Sequence, residues 1–154
     1  MNKLIILQTL LVLHLTGLTV MAGTTVVEYF SFKEFAKLFN TDRERSRSII
    51  GLMKKLSLLL GIGAALLIVS GVGLLIITNG VFVQQRWFQI KLLLVLALIL
   101  NGFMVGGRQE AKLHKSIDTD DMQSAKAIRK LKIFYSVQMG IFFTIIFLSV
   151  FKFN

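Results

Sequence analysis

The chain has 154 residues, of which 55% are hydrophobic, with a mean hydropathy of +0.72 and a formal net charge of +10. These values exclude a water-soluble globular protein and predict one small domain whose solvent is largely lipid. Cysteine and proline are both absent. Disulfides, thiolate metal sites and cysteine nucleophiles are therefore excluded, and the usual cause of kinked membrane helices is missing.

Four apolar stretches of 24, 23, 19 and 19 residues follow one another along the chain, at 4–27, 56–78, 88–106 and 133–151. A helix needs about 20 residues to cross the hydrocarbon core of a bilayer, so each stretch has the length of one membrane span. Lys91 is the only Lys, Arg, Asp or Glu in these stretches. The predicted fold class is all-α: residues 1–154 form a single transmembrane domain, a four-helix bundle.

The basic residues indicate the topology of this bundle. Seven Lys or Arg residues lie in 29–55 and another seven in 107–132. Since basic residues accumulate in short cytoplasmic loops, both connections are predicted inside, with the N- and C-termini outside. We expect a multi-pass protein of a bacterial-type inner membrane whose cytoplasmic loops contact anionic lipid headgroups. The same placement argues against nucleic acid as a partner.

The cytoplasmic connections carry helix signals of their own. After Val27 the pattern stays amphipathic up to Phe39, which predicts that the first helix runs on along the cytoplasmic interface or bends into it. Residues 40–42 form a turn, and Thr41 or Asp42 can cap a short charged helix. In the third connection, residues 118–121 can cap a helix that begins near Met122 and runs into the fourth span.

The segment between the second and third spans is short. Thr78, Asn79 and Gly80 predict a tight turn, so these two spans are expected to form an antiparallel hairpin. Trp87 follows at the position of a residue of the outer aromatic belt.

Small residues predict where the helices pack on one another. Helices in lipid associate through close approach at small side chains, and four-residue spacings of such residues occur in the last three spans. They are Ser57, Gly61, Ala64 and Gly71, then Gly102 and Gly106, then Ser136, Gly140 and Thr144. A homo-oligomer or a partner in a larger membrane complex is expected to use the same kind of contact.

The first span differs because its polar groups share one face. His14, Gly17, Met21, Thr24 or Thr25, and Glu28 recur at helical spacing, and we expect this face to point into the bundle. His14 lies ten residues after Leu4, about 15 Å along the helix and near the bilayer midplane.

Three interpretations of His14 remain open at this point. The imidazole can hydrogen-bond a backbone carbonyl or a hydroxyl such as that of Ser70, it can relay protons, or it can ligate a haem iron while Gly17 leaves room for the macrocycle. Lys91 can snorkel to the outer headgroups or neutralise a haem propionate or a quinone oxygen, with Arg86 helping at the same level.

Three motifs resemble the CopD-like superfamily, which includes the HemJ-type protoporphyrinogen oxidases and small four-span proteins. They are residues 13–17 (LHLTG) in the first span, the Gly-rich second span ending in residues 73–77 (GLLII), and residues 87–92 (WFQIKL) at the start of the third. The resemblance implies that His14 ligates haem b and that Lys91 is functionally important.

The leading functional hypothesis is therefore a haem-b-binding membrane protein that takes part in electron transfer or porphyrin redox chemistry. Its cofactor-binding residues would be His14, Gly17, Lys91 and Arg86, with His14 as the metal ligand. The alternative is a non-catalytic accessory or structural subunit of a larger membrane complex. A proton or ion pathway is a third hypothesis, and whether the chain is an enzyme is left open.

Overall fold

The computed structural model describes residues 2–116 and 121–151, apart from the side chains of Phe103, residues 114–116 and Asp121. All regular structure in these residues is helical, which confirms the predicted all-α class. The helices are α1 (Lys3–Leu38), α2 (Arg43–Ile77), α3 (Arg86–Asn101), a π-helical segment (Gly102–Gly106), α4 (Gly107–Ser116) and α5 (Asp121–Val150).

Four of these helical stretches are long and apolar enough to cross a membrane. They are Lys3–Leu38, Arg43–Ile77, Arg86–Leu113 and Met122–Val150. Each contains one of the four apolar stretches of the sequence almost completely, so the predicted number and order of the long helices are confirmed.

The first connection confirms one prediction and differs from another. The first helix runs on past its apolar stretch as predicted, because α1 continues unbroken to Leu38. The predicted short charged helix after Asp42 is instead the beginning of α2, which runs without a break to Ile77. Backbone hydrogen bonding propagates at little cost once a helix has started, and no proline or glycine pair interrupts either segment.

The turns follow their local signals. Asp42 caps α2, since its carboxylate Oδ1 accepts a hydrogen bond from the Arg45 backbone N–H at 3.0 Å. After α2, Asn79 and Gly80 adopt φ values of 51° and 67°, the left-handed conformation that Asn and Gly tolerate best. The predicted caps at residues 118–120 lie outside the described residues, although α5 does begin at Asp121, next to the predicted Met122.

The helices form a bundle in which α1 pairs along its length with α2, while α5 contacts α1, α3 and α4. The larger of two buried clusters lies where the ends of α1 and α4 meet the beginnings of α2 and α5, and we call it the aromatic end. Its buried members are Phe32, Phe35, Phe39, Ile50, Met53, Leu113, Ala127, Leu131, Phe134 and Tyr135.

The second buried cluster lies farther along the bundle and is smaller. It comprises Met21, Leu98, Phe142 and Ile145, from α1, α3 and α5, with partly buried residues of α2 packed against it. Beyond this cluster lies the part of the molecule that contains His14, Ser70 and Lys91, which we call the histidine end. Large hydrophobic residues such as Val12, Val69 and Leu93 are exposed there.

The predicted packing seams hold only in part. Gly106 packs on the ring of Phe134, but a Cβ at Gly61, Gly102 or Gly140 would meet nothing within 4 Å. The close contact of α2 with α1 is instead at Gly63. The spacing of small residues predicted that α2 can approach another helix closely. It did not predict that Gly63, and not Gly61, faces α1.

Candidate functional site

The predicted polar face of α1 does point into the bundle. Gly17, Met21, Thr24, Thr25 and Glu28 are all buried, and His14 at its far end is half-buried. Two groups of polar contacts lie along this face. One is centred on His14 at the histidine end, and the other on Glu28 beside the aromatic end.

His14 is bound to α2 by a hydrogen bond between its ring Nδ1 and the hydroxyl Oγ of Ser70, 3.0 Å away. The Ser70 hydroxyl donates its proton to the Leu66 carbonyl of its own helix. Ser70 can therefore accept from His14 in the tautomer that carries the imidazole proton on Nδ1, and in that tautomer Nε2 keeps a lone pair. Fixing one ring nitrogen by a hydrogen bond is also how proteins orient a histidine that binds a metal.

The space around His14 is filled on the α2 side. A Cβ at Gly71 would lie 3.4 Å from the ring carbon Cε1 of His14. One turn away, a Cβ at Gly17 would lie 3.0 Å from the Gly63 carbonyl oxygen and from the Leu67 backbone nitrogen. Gly17 thus lets α1 and α2 approach one another, and it leaves no gap there for a flat macrocycle. The gap that the sequence predicted beside Gly17 is therefore filled by α2.

Lys91 and Arg86 are separated by the geometry of α3. Lys91 is half-buried and lies close enough to His14 for its charge to act on the imidazole. Arg86 is the first residue of α3 and is exposed. The two lie five residues apart, which is about 140° around a helix, so their side chains leave α3 in different directions. The charge of Lys91 therefore acts on His14, whereas Arg86 leaves α3 in another direction.

The second group contains the buried carboxylate of Glu28 and the half-buried carboxylate of Glu110, which hydrogen-bond hydroxyl groups of other helices. The Ser57 hydroxyl of α2 donates to Glu28 Oε1 of α1 at 3.1 Å, and the Tyr135 hydroxyl of α5 donates to Glu110 Oε1 of α4 at 2.5 Å. Glu28, Glu110 and Tyr135 lie close enough to interact electrostatically. Each hydrogen bond joins two helices and satisfies a carboxylate oxygen away from bulk water.

The π-helical segment contributes to this arrangement. It ends with the Gly107 backbone N–H bonded to the Gly102 carbonyl, a five-residue step in place of the four-residue step of an α-helix. The extra residue rotates everything that follows by about 100° relative to an uninterrupted helix. Glu110 lies in α4, which follows the π-helical segment, and it hydrogen-bonds Tyr135 in this rotated register.

A third interhelical contact lies between these groups. The Asn101 side-chain amide of α3 donates to Gln138 Oε1 of α5 at 3.2 Å, and Gln138 is buried. The nearby Thr25 hydroxyl is buried without a hydrogen-bond partner among the described residues. An unsatisfied buried hydroxyl destabilises a fold by about 1–3 kcal/mol.

Sequence reasoning missed most of this second group. Glu28 was placed on the inward face, but Glu110, Tyr135, Asn101 and Gln138 were not singled out. A usable signal existed for the two amides, because Asn101 and Gln138 lie inside apolar spans, where a polar side chain needs a partner. Glu110 gave no such signal because it belongs to a charged connection.

None of the described residues form a group of three or more His, Cys, Asp or Glu side chains that could hold a metal ion. His14 is thus a single nitrogen donor. Comparison of the chain with protein-family models, curated proteins and solved structures found no match. The resemblance to the CopD-like superfamily stays a prediction.

Proposed function

We propose that this chain is a multi-pass protein of a bacterial-type inner membrane, with both termini outside and both basic connections in the cytoplasm. Four sufficiently long apolar helices support insertion, and the concentration of basic residues at one end of the bundle supports the orientation. The absence of cysteine allows a direct test by single-cysteine labelling in intact cells.

The exposed positions Val81 and Thr41 lie in opposite turns of the bundle. In a cysteine-free background, Val81→Cys should react with a membrane-impermeant maleimide in intact cells, and Thr41→Cys only after permeabilisation. The reverse pattern would overturn the proposed orientation. If alkaline carbonate washes the protein from the membranes, the proposed membrane insertion is wrong.

Within the membrane we propose a non-catalytic role, as an accessory or structural subunit of a membrane complex or homo-oligomer. The observation that carries this proposal is that α1 uses its polar and small groups to hold α2. His14 contacts Ser70 and Gly71, Gly17 contacts Gly63, and Glu28 contacts Ser57. Interhelical hydrogen bonds and close approach at small residues are what membrane helices use for assembly.

A second chain can be sought on the face of α5 that the bundle leaves uncovered. Ser136, Gly140 and Thr144 are exposed, and nothing lies within 4 Å of a Cβ at Gly140. In native membranes, Ser136→Cys should form a crosslink under mild oxidation or with a bifunctional maleimide. The matched control is Leu93→Cys on the exposed face of α3, which should crosslink weakly.

A crosslinked band at twice the chain mass would identify a homo-oligomer, and a band of another mass would identify a different subunit. Equal crosslinking at positions 93 and 136 would contradict the use of this face. Failure to crosslink at either position, in a chain that migrates as a monomer in mild detergent, would overturn the accessory role.

Haem b binding through His14 is the second candidate, and one observation favours it. In the tautomer that carries its proton on Nδ1, His14 hydrogen-bonds Ser70 and presents the lone pair of Nε2, which is the arrangement of a histidine that binds iron, and the charge of Lys91 acts on the same imidazole. The resemblance to the CopD-like superfamily points to the same residues. A bound haem would supply one-electron redox chemistry. The filled space at Gly17 counts against this candidate.

Visible spectroscopy decides between the two candidates. Protein purified in mild detergent from haem-supplied cells should show a Soret band if His14 binds haem, and His14→Ala should abolish or shift that band. Lys91→Gln should weaken haem retention with less change in band position. A purified protein without a Soret band, or a band that survives His14→Ala unchanged, removes the haem candidate and leaves the accessory role.

A further inference from the structure

A groove lies between the end of α1 and the first turns of α5, at the aromatic end of the bundle. Its volume is about 330 Å³, and it is lined by Ala36, Phe39, Asn40, Ala125, Ile128, Arg129 and Lys132. Four of these residues are apolar and one is an amide. The other two are basic, and no acidic side chain is among them.

We propose that this groove binds one anionic phospholipid, with its phosphate between Arg129 and Lys132 and beside the apolar wall that Phe39 and Ile128 form. The site rests on the proposed membrane insertion. Basic pockets between helices on the cytoplasmic side of a membrane are suited to anionic lipid headgroups. A paired site of this kind differs from general attraction of the basic connections to the membrane surface, because one headgroup contacts both cations and an apolar wall.

The position of the groove along α5 matches the depth of a headgroup. Lys132 directly precedes the apolar stretch 133–151, and Arg129 lies three residues, about 4.5 Å, farther from it. The headgroup region extends roughly 5–8 Å beyond the hydrocarbon core on each side. Both cations are therefore at phosphate level when the stretch 133–151 spans the hydrocarbon.

The charges around the groove also favour an anion. Arg129 and Lys132 are exposed and lie on the same side of α5. The Arg43 guanidinium lies over the Phe39 ring, 4.5 Å from its centroid, and so adds a third positive charge at the groove edge. The nearby Leu38 carbonyl already accepts hydrogen bonds from the Thr41 and Asp42 backbone N–H groups, which reduces its repulsion of a phosphate.

The same helix provides a matched control for charge. Lys126 and Lys130 are exposed on α5 but do not line the groove. The double variant R129Q/K132Q removes two positive charges inside the groove, and K126Q/K130Q removes two outside it. A third variant, Ala125→Phe, fills the groove and leaves the net charge unchanged.

Native mass spectrometry of the full chain in detergent, after delipidation, tests the proposal. The probes are phosphatidylglycerol and phosphatidylcholine with identical acyl chains, and glycerol phosphate as a headgroup without chains. The unmodified protein should retain one phosphatidylglycerol in preference to phosphatidylcholine. R129Q/K132Q should bind it about tenfold or more weakly, because each basic residue near the surface contributes about 1 kcal/mol.

Ala125→Phe should also lose the bound lipid, whereas K126Q/K130Q should retain it. Equal losses in the two charge variants, or no preference over phosphatidylcholine, would overturn the site. Binding of glycerol phosphate as tightly as the intact lipid would overturn a lipid as the occupant. Circular dichroism of each variant confirms that the helices are retained. A protein that resists carbonate extraction but shows no lipid preference refutes the groove alone and leaves membrane insertion standing.

Discussion

The two ends of this bundle are packed by different means. At the aromatic end, Phe35 and Leu131 are completely buried in a cluster of ten residues. At the histidine end, most large side chains are exposed, and the helices meet at glycines and at one hydrogen bond to His14. The apolar stretches of α1 and α5 stop before or within the aromatic end, so much of that end lies beyond the predicted spans.

The proposed membrane insertion accounts for this difference, because the two ends then meet different solvents. Where helices project from the bilayer, water drives burial of apolar faces as in a soluble bundle. Within the hydrocarbon, lipid tails are as apolar as leucine, so close approach and hydrogen bonds must hold the helices together. If the chain is inserted as proposed, the same four long helices join a soluble-type core to a membrane-type contact.

The largest effect is expected from truncation at the aromatic end. Phe35→Ala should lower the free energy of unfolding in mixed micelles by about 4 kcal/mol, because it leaves a cavity in a fully buried cluster. Phe30→Ala, on the same helix but 59% exposed, should change it by less than about 0.5 kcal/mol. Similar losses for both variants would show that the aromatic end is not a packed core.

The next largest effect is expected at the contact between α1 and α2. Gly63→Leu should destabilise the bundle by about 3 kcal/mol, since a Cβ there lies 3.0 Å from the Met21 backbone nitrogen and backbone atoms cannot move aside easily. Gly61→Leu is the control, because nothing lies within 4 Å of its Cβ. Thermal unfolding in detergent should separate the two variants, and a tolerant Gly63 would contradict the described helix contact.

A smaller effect is expected for the carboxylate contacts beside the aromatic end. Tyr135→Phe removes the hydroxyl that donates to Glu110 and should lower the free energy of unfolding by about 1.5 kcal/mol, because it leaves a partly buried carboxylate oxygen without this donor. Tyr29→Phe serves as the control, since the Tyr29 hydroxyl forms no hydrogen bond within the described residues. The same unfolding assay measures both, and equal stabilities would argue that Glu110 does not depend on Tyr135.

The smallest effect is expected at His14. A double-mutant cycle of His14→Ala and Ser70→Ala should give a coupling energy of about 0.6 kcal/mol, the usual size for a hydrogen bond between membrane helices. Strictly additive effects would mean that the two side chains do not interact. If His14→Ala lowers the free energy of unfolding much more in haem-loaded protein than in haem-free protein, the difference measures a bond between His14 and the haem iron. The accessory role does not require such a bond.

Much of the fold followed from local pattern. The four long helices, the cap at Asp42 and the turn at Asn79 and Gly80 each depend on hydrogen bonds between residues a few positions apart. Composition and spacing are enough to predict such features, because the interacting groups lie in the same short segment. The unbroken course of α2 was underestimated, since the charged residues before the second span suggested a boundary that the backbone does not make.

The contacts of the site were much less predictable. Local pattern places His14 deep in an apolar helix, on the same face as Glu28. It does not show that His14 contacts Ser70, 56 residues away, or that Glu110 contacts Tyr135, 25 residues away, and these contacts are known from the folded chain. They depend on helix rotation and register, here altered by the π-helical segment, which are set by packing between helices and not by hydrogen bonding within any one of them.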